Sequence, residues 1–165
     1  DLEFIGNGYI YTYKVYKPVF DVSGEFKDFR SITEDELEPL WIDSDGNPLI
    51  KVGMVNPETE GGLEGRLLKH QNSIIYGLVA LEKAWKVKPG WPVRDVERSI
   101  LERLQSEGLQ VDLTRLRGSS TSELFYNCPQ VLEIIEQIRE EYDCLMNPDA
   151  MMTWKEMYEL CLKSN

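Results

Sequence analysis

Residues 9–20 read YIYTYKVYKPVF, and this stretch is the strongest strand signal in the chain. Every second residue up to position 13 is a tyrosine, and the residues between them include Ile10 and Thr12. Because an extended chain points successive side chains to opposite faces, both faces carry aromatic or β-branched residues. Pro18 predicts that the strand ends there or lies at a sheet edge. We expect helices of the same chain to cover the strand, the alternative being that one face receives a partner.

The charge and the pattern of the chain change near residue 66. Residues 1–66 carry 14 acidic and 6 basic side chains, and their patterns are typical of strands and turns. Residues 67–165 carry 15 acidic and 12 basic side chains and show helical spacing. This predicts an α+β fold, in which a small N-terminal antiparallel sheet is packed by a four- to five-helix C-terminal half. The length of 165 residues predicts a single domain, 1–165, with a β-rich acidic part at 1–60 and a helical part at 64–165.

Several segments of the second half carry helix signals. Apolar residues at helical spacing predict helices at 64–86, 93–107 and 129–145, and a last helix over residues 153–162. Gly108 suits the position just after a helix, and Pro129 suits the first helical position. A capping pattern at residues 120–123 predicts one further, brief helix.

The letters DSDGN at residues 43–47 predict a turn. They resemble the start of a calcium loop, but position 12 counted from Asp43 is Met54, where such a loop needs a glutamate. Apolar runs on both sides of an Asp-Gly pair are typical of a hairpin instead. Residues 21–40 show no clear pattern apart from a capping box at 33–36.

The overall charge narrows the class of partner. A formal net charge of −11 argues against a general duplex-DNA binder, because neutralised phosphates supply most non-specific affinity. It also argues against binding to an anionic membrane surface. No stretch approaches 18 apolar residues, so we expect no membrane span.

The cysteines predict a reducing environment. Cys128, Cys144 and Cys161 are odd in number and widely spaced, and His70 is the only histidine. This pattern predicts neither a disulfide framework nor a Cys/His zinc site. We therefore expect a cytoplasmic or other intracellular location.

Two motifs resemble catalytic ones, and both are incomplete. Glu25 and Lys27, after Asp21, resemble the acidic-acidic-lysine set of metal-dependent nucleases, although Asp21 is too close for the usual separate strand. Cys128 precedes a predicted helix start, where a thiol pKa is lowered, but the only histidine available as its base is His70. We predict no catalytic residue, metal ligand or cofactor and favour a protein that is not an enzyme. A metal-dependent hydrolase is the third hypothesis.

Residues 83–117 are locally basic, with eight basic and five acidic side chains. Trp85 and Trp91 lie in or beside this segment, and exposed tryptophans stack on single-stranded bases. Two arginines and a run of hydroxyl residues also precede the predicted helix near residue 120, a place where phosphate binds well. Nucleic-acid binding is therefore the second hypothesis. Its candidate residues are Arg94, Arg98, Arg115, Arg117 and Ser120.

The last predicted helix is the candidate partner-binding surface. It combines flexible methionines with aromatic anchors, a composition enriched at protein interfaces. The candidate residues are Met151, Trp154, Met157 and Tyr158. The leading hypothesis is a non-enzymatic protein-interaction module of the adaptor, matrix, immunity or inhibitor type. It would act through a protein partner or through self-association as a homo-oligomer.

Overall fold

The computed structural model describes residues 8–43, 45–58, 62–63, 65, 78–110, 124–126, 129–148 and 156. Within these ranges the chain forms five strands and two α-helices. In chain order they are β1 Tyr9–Tyr16, β2 Leu49–Val55, β3 Leu78–Val87, α1 Val93–Ser106, β4 Leu124–Tyr126, α2 Pro129–Tyr142 and β5 Leu145–Pro148. Two short 3-10 helices, Phe29–Ser31 and Glu34–Glu36, lie between β1 and β2.

The five strands form one sheet in the order β4-β2-β1-β3-β5, and every neighbouring pair is antiparallel. The predicted strand β1 is confirmed and lies at the centre. Its first five residues are all buried, which agrees with the apolar and aromatic side chains on both of its faces. The strand ends at Tyr16, two residues before Pro18.

One face of the sheet is covered by the two helices. Ile10 of β1, Val52 of β2 and Trp85 of β3 belong to the same apolar cluster as the inward sides of α1 and α2. The helical side chains of this cluster recur every three or four residues, as an amphipathic helix requires. They are Val93, Val96, Ile100, Leu104, Val131, Ile134, Ile135 and Ile138.

The opposite face is rich in tyrosine. The rings of Tyr11 and Tyr13 stack with their centroids 5.9 Å apart, and Trp41 lies 6.2 Å from Tyr13. Leu63 belongs to the same cluster and is fully buried. Tyr11 pairs with Gly53 of β2, where an added Cβ would lie 2.7 Å from the tyrosine ring. The glycine thus leaves room for the ring to lie across the sheet.

Both helices begin at the residues predicted from the sequence. α1 begins at Val93 and ends at Ser106, and Gly108 beyond it has a φ of +72°. The Gly108 and Leu109 N–H groups donate to carbonyls of the last helical turn, as in a Schellman motif. α2 begins at Pro129, the residue predicted to occupy the first position.

The predicted helix over 64–86 is wrong for residues 78–86, which belong to β3. A β-bulge explains the error: Thr12 pairs with Lys83 and Tyr13 with Leu81, so one residue of β3 has no opposite partner. The extra residue shifts the alternation, and Leu81 and Ala84 both face the tyrosine side. A spacing of three on one face is also the spacing of a helix, so the pattern predicted the wrong element.

The predicted four- to five-helix C-terminal half is also wrong. The described part of the chain contains two α-helices, and the residues after position 64 supply three of the five strands. Leu124–Tyr126 form an edge strand where a brief helix was expected to begin. Leu145–Pro148 form the other edge strand, so the helix predicted to continue to residue 145 ends at Tyr142 and Leu145 lies in a strand. The mixture of helix and sheet itself is confirmed.

Candidate functional site

A short hairpin projects beyond the end of β1; we call residues 19–27 the Phe hairpin. Phe20 and Phe26 form its bridging pair, and Lys27 N–H donates to the Val19 carbonyl at 2.8 Å. Asp21 N–H donates to the Glu25 carbonyl at 2.8 Å. These backbone bonds hold the two arms in register.

The carboxylate of Asp21 fixes the turn of the Phe hairpin. Its Oδ1 accepts hydrogen bonds from the backbone N–H groups of Ser23 at 2.9 Å and Glu25 at 3.1 Å, and also from the Ser23 hydroxyl. The Ser23 hydroxyl and these backbone donors lower the pKa of Asp21 below its usual value. Gly24 has a φ of +87°, a conformation that L side chains rarely adopt.

The ordered turn displays apolar side chains to solvent. Val22 is 110% exposed, Phe20 is 53% exposed and Phe26 is 49% exposed. The two phenylalanine rings stack with centroids 5.0 Å apart, so together they form one continuous apolar surface.

The base of the Phe hairpin is anchored to the rest of the fold. Lys27 Nζ donates to both carboxylate oxygens of Glu36 at 2.8 Å, and this contact is the largest cause that lowers the pKa of Glu36. Glu36 Oε1 also accepts from the Thr33 N–H at 3.0 Å, which confirms the predicted capping box. Val19 packs against the small cluster formed by Ile32 and Ala80.

The surroundings of the Phe hairpin are acidic. Residues 20–45 contain nine acidic and two basic side chains. Of the two basic ones, Lys27 pairs with Glu36, and Arg30 lies 4.0 Å from Asp28. The segment that carries the exposed apolar surface therefore has a net negative charge.

A second turn has nearly the same backbone; we call residues 42–48 the Asp43 turn. Asp43 Oδ1 accepts from the N–H groups of Asp45 at 2.9 Å and Asn47 at 2.8 Å, and Gly46 has a φ of +85°. Partial burial raises the pKa of Asp43, but its hydrogen bonds with Asn47 and Asp45 lower it by more. The predicted hairpin is confirmed, and N–H groups donate to both oxygens of this carboxylate.

A cleft lies at the opposite end of β1. It has a volume of about 440 Å³, and we call it the Trp91 cleft. Its apolar lining includes Pro57, Val93, Trp91 at 40% exposure and Met146 at 44%. Tyr142, also exposed, meets Trp91 edge to face with ring centroids 6.3 Å apart.

Two lysines line the Trp91 cleft. Lys88 pairs with Asp143, whereas no carboxylate of the described residues forms an ion pair with Lys86. Gly8 brings the walls together, because a Cβ there would lie 2.5 Å from the Val93 side chain. The cleft therefore combines apolar walls with a half-buried positive charge.

The structure describes only part of the predicted nucleic-acid surface. Trp85 is fully buried and its indole N–H donates to Glu136 at 2.9 Å, so it has no face available for a base. Arg94 and Arg98 are exposed on α1, and Arg98 lies 3.9 Å from Asp95. Arg115, Arg117 and Ser120 lie outside the described residues.

Most of the other residues singled out in the sequence lie outside the described ranges. Met151, Trp154, Met157 and Tyr158 lie outside the described residues, as do His70, Cys128 and Cys161. Cys144 is buried, and that burial raises the pKa of its thiol, which opposes its use as a nucleophile.

The hydrolase hypothesis gains no support from the part of the chain that the structure describes. There, no three His, Cys, Asp or Glu side chains group as a metal ion would require. The Asp21 carboxylate caps its own turn, and Lys27 is paired with Glu36.

No family model, curated protein or solved structure matches this chain. Among the described helices, none has the length and apolar character needed to cross a membrane.

The Phe hairpin was not predicted from the sequence. Its signal was the apolar pair Phe20 and Val22 before Ser23-Gly24, followed by Phe26. That arrangement is a hairpin pattern, but the segment contains no Asp-Gly pair to make it prominent.

Proposed function

We propose that this chain is a non-enzymatic protein-interaction module that contacts a protein partner through the Phe hairpin. The observation that carries the proposal is the full exposure of Val22 at the apex of a hydrogen-bonded turn, beside the half-exposed Phe20 and Phe26. Transfer of an apolar side chain from water into a protein contact is favourable by about 1.5–3 kcal/mol. A rigid, exposed apolar apex therefore supports binding to a complementary pocket.

The Asp43 turn shows that the turn geometry does not require this apolar apex. The sequence has Ser44 after Asp43, where the Phe hairpin has Val22 after Asp21. Both aspartates accept the same set of backbone hydrogen bonds. Val22 is thus not needed to form the turn, and its side chain is available for a contact outside the molecule.

Site-specific photo-crosslinking tests this proposal. A photoreactive amino acid placed at position 22 should capture a defined protein in cells that naturally make this chain. The same amino acid at position 45, in the matching turn, should not capture it. The captured partner is then purified and its affinity measured, and Val22→Ser should weaken binding about tenfold or more.

Two results would contradict the proposal. One is an identical set of cross-linked proteins from positions 22 and 45. The other is an unchanged affinity for the purified partner when Val22→Ser is combined with Phe20→Ser.

Nucleic-acid binding is the second candidate, and one observation favours it. Lys86 and the exposed Trp91 share a cleft, where a base could stack while its phosphate meets the lysine. Arg94 and Arg98 are exposed on the helix that follows. Single-stranded RNA should then give a salt-sensitive mobility shift that the Arg94→Glu/Arg98→Glu variant abolishes. The absence of any shift at low salt would end this hypothesis.

A further inference from the structure

We propose that the Phe hairpin of one copy of this chain inserts into the Trp91 cleft of a second copy, so that the protein self-associates head to tail. This inference rests on the proposed function, because it names the partner of the Phe hairpin as another molecule of the same chain. It also assigns an occupant to the Trp91 cleft.

The two surfaces lie at opposite ends of the central strand. Gly8, just before β1, lines the Trp91 cleft, and its carbonyl accepts from the Val87 N–H at 2.9 Å. The Phe hairpin begins at residue 19, just beyond the last residue of β1. Eight extended residues span about 26 Å, so a hairpin does not reach the cleft of its own molecule.

The two surfaces are complementary in shape and apolar character. The Phe hairpin is convex, with Val22 at its tip. The Trp91 cleft is concave, with a volume of about 440 Å³, and its walls include Trp91 and Met146. The methionine side chain adapts to an inserted apolar group, and the tryptophan ring offers it a large apolar contact area.

The charges of the two surfaces are also complementary. Asp21 and Glu25 lie on either side of the hairpin apex and are exposed. Lys86 in the cleft makes no ion pair with any carboxylate that the structure describes, so a carboxylate of the incoming hairpin can occupy that role. The net charge of −11 opposes association, but physiological salt screens charges more than about 8 Å apart while close pairs persist.

Such a contact is heterologous, because each copy uses a different surface from its neighbour. When two copies associate, one hairpin and one cleft remain unoccupied, and each can bind a further copy. Repeated contacts of this kind produce rings or open filaments. This property provides a test that does not depend on knowing any other partner.

The test is sedimentation velocity on the full chain over a wide concentration range. The wild type should show species larger than a monomer that grow with concentration. Val22→Asp removes the hairpin contact and Lys86→Glu removes the cleft contact, so each variant alone should self-associate at least about tenfold more weakly. An equimolar mixture should form a heterodimer and nothing larger, because one hairpin and one cleft remain compatible.

Two control variants carry the same chemical changes elsewhere. Ile42→Asp places a charge on an exposed apolar residue of the Asp43 turn, and Lys51→Glu reverses the charge of a half-buried lysine outside the cleft lining. Both should self-associate like the wild type. Circular dichroism checks that all four variants are folded.

A wild type that stays monomeric at every concentration overturns the inference, as does a mixture that forms no heterodimer. Neither result contradicts the proposed function if position 22 still cross-links to a different protein. A Phe hairpin that binds neither a second copy nor another protein removes both proposals.

Discussion

The Phe hairpin and the Asp43 turn share one backbone and display different side chains. In each, the aspartate N–H donates to the carbonyl four residues later, at 2.8 Å from Asp21 and 2.9 Å from Asp43. In each, a glycine three residues after the aspartate has a positive φ, +87° at Gly24 and +85° at Gly46. The N–H group of each glycine donates to the backbone carbonyl of the aspartate in its own turn, at 3.1 Å in both cases.

The difference lies in the residues that the turn geometry leaves free. The Phe hairpin has Val22 after its aspartate and a pair of stacked phenylalanines at its base, all of them substantially exposed. The Asp43 turn has Ser44 at the corresponding place in the sequence, and Ile42 pairs with Pro48 at its base. The aspartate and the glycine set the backbone, so the exposed surface can vary without changing the turn.

The largest expected effect on stability comes from the two glycines. Gly24→Ala and Gly46→Ala should each lower the free energy of unfolding by about 1–2 kcal/mol, because an L side chain is strained at positive φ. No atom lies within 4 Å of a Cβ added at either position, so the loss arises from the backbone alone and should be equal in both turns. Urea titration measures it.

Asparagine provides the matched control for this prediction. It tolerates positive φ better than alanine, so Gly24→Asn and Gly46→Asn should cost less than the alanine variants. If one of the two alanine variants had the same unfolding free energy as the wild type, the two turns would not be equivalent.

A smaller effect on stability is expected when the pH is lowered. The pKa values of Asp21 and Asp43 lie below the usual 3.8, so each ionised carboxylate stabilises the fold at pH values above that level. This contribution is lost as the pH falls through the lowered pKa of the folded state. NMR titration of the two side chains should give both values below 3.8.

Urea unfolding between about pH 5 and about pH 2 extends that test. Asp21→Asn and Asp43→Asn should each lose less stability on acidification than the wild type does, since the titrating group is gone. A measured pKa at or above 3.8 for one aspartate would show that its hydrogen bonds do not persist in solution.

The smallest effect on stability is expected at the apex of the Phe hairpin. Val22→Ser gives this turn the residue that the other one has, and the exposed side chain makes no packing contact to lose. The unfolding free energy should therefore change by less than about 0.5 kcal/mol. Binding through the Phe hairpin should nevertheless weaken. The variant thus distinguishes a role of Val22 in binding from a role in folding. A large loss of stability would show instead that Val22 is structural.

Local patterns predicted the elements whose signals lie within one segment. Alternation identified β1, helical spacing with Gly108 and Pro129 identified α1 and α2, and the Asp-Gly pair identified the Asp43 turn. Each of these depends on neighbours in the sequence. The confirmed parts of the fold are therefore those in which local and tertiary preferences agree.

Local sequence patterns could not predict features that depend on residues far apart in the chain. The bulge in β3 arises where Leu81 and Lys83 meet β1, so it can be recognised only once the pairing is known. Trp85 and Trp91 are six residues apart with similar local signals, yet one is fully buried and the other is 40% exposed. The Trp91 cleft needs residues from both ends of the chain, so no local spacing indicated it.

The central position of β1 has a consequence for synthesis on the ribosome. Tyr9–Tyr16 leave the ribosome before their partner β3, which is complete only at Val87, some 70 residues later. At about 5–20 residues per second the strand waits about 4–14 s with an unpaired edge and exposed tyrosines. The nascent chain therefore passes through a period in which chaperone binding competes with aggregation.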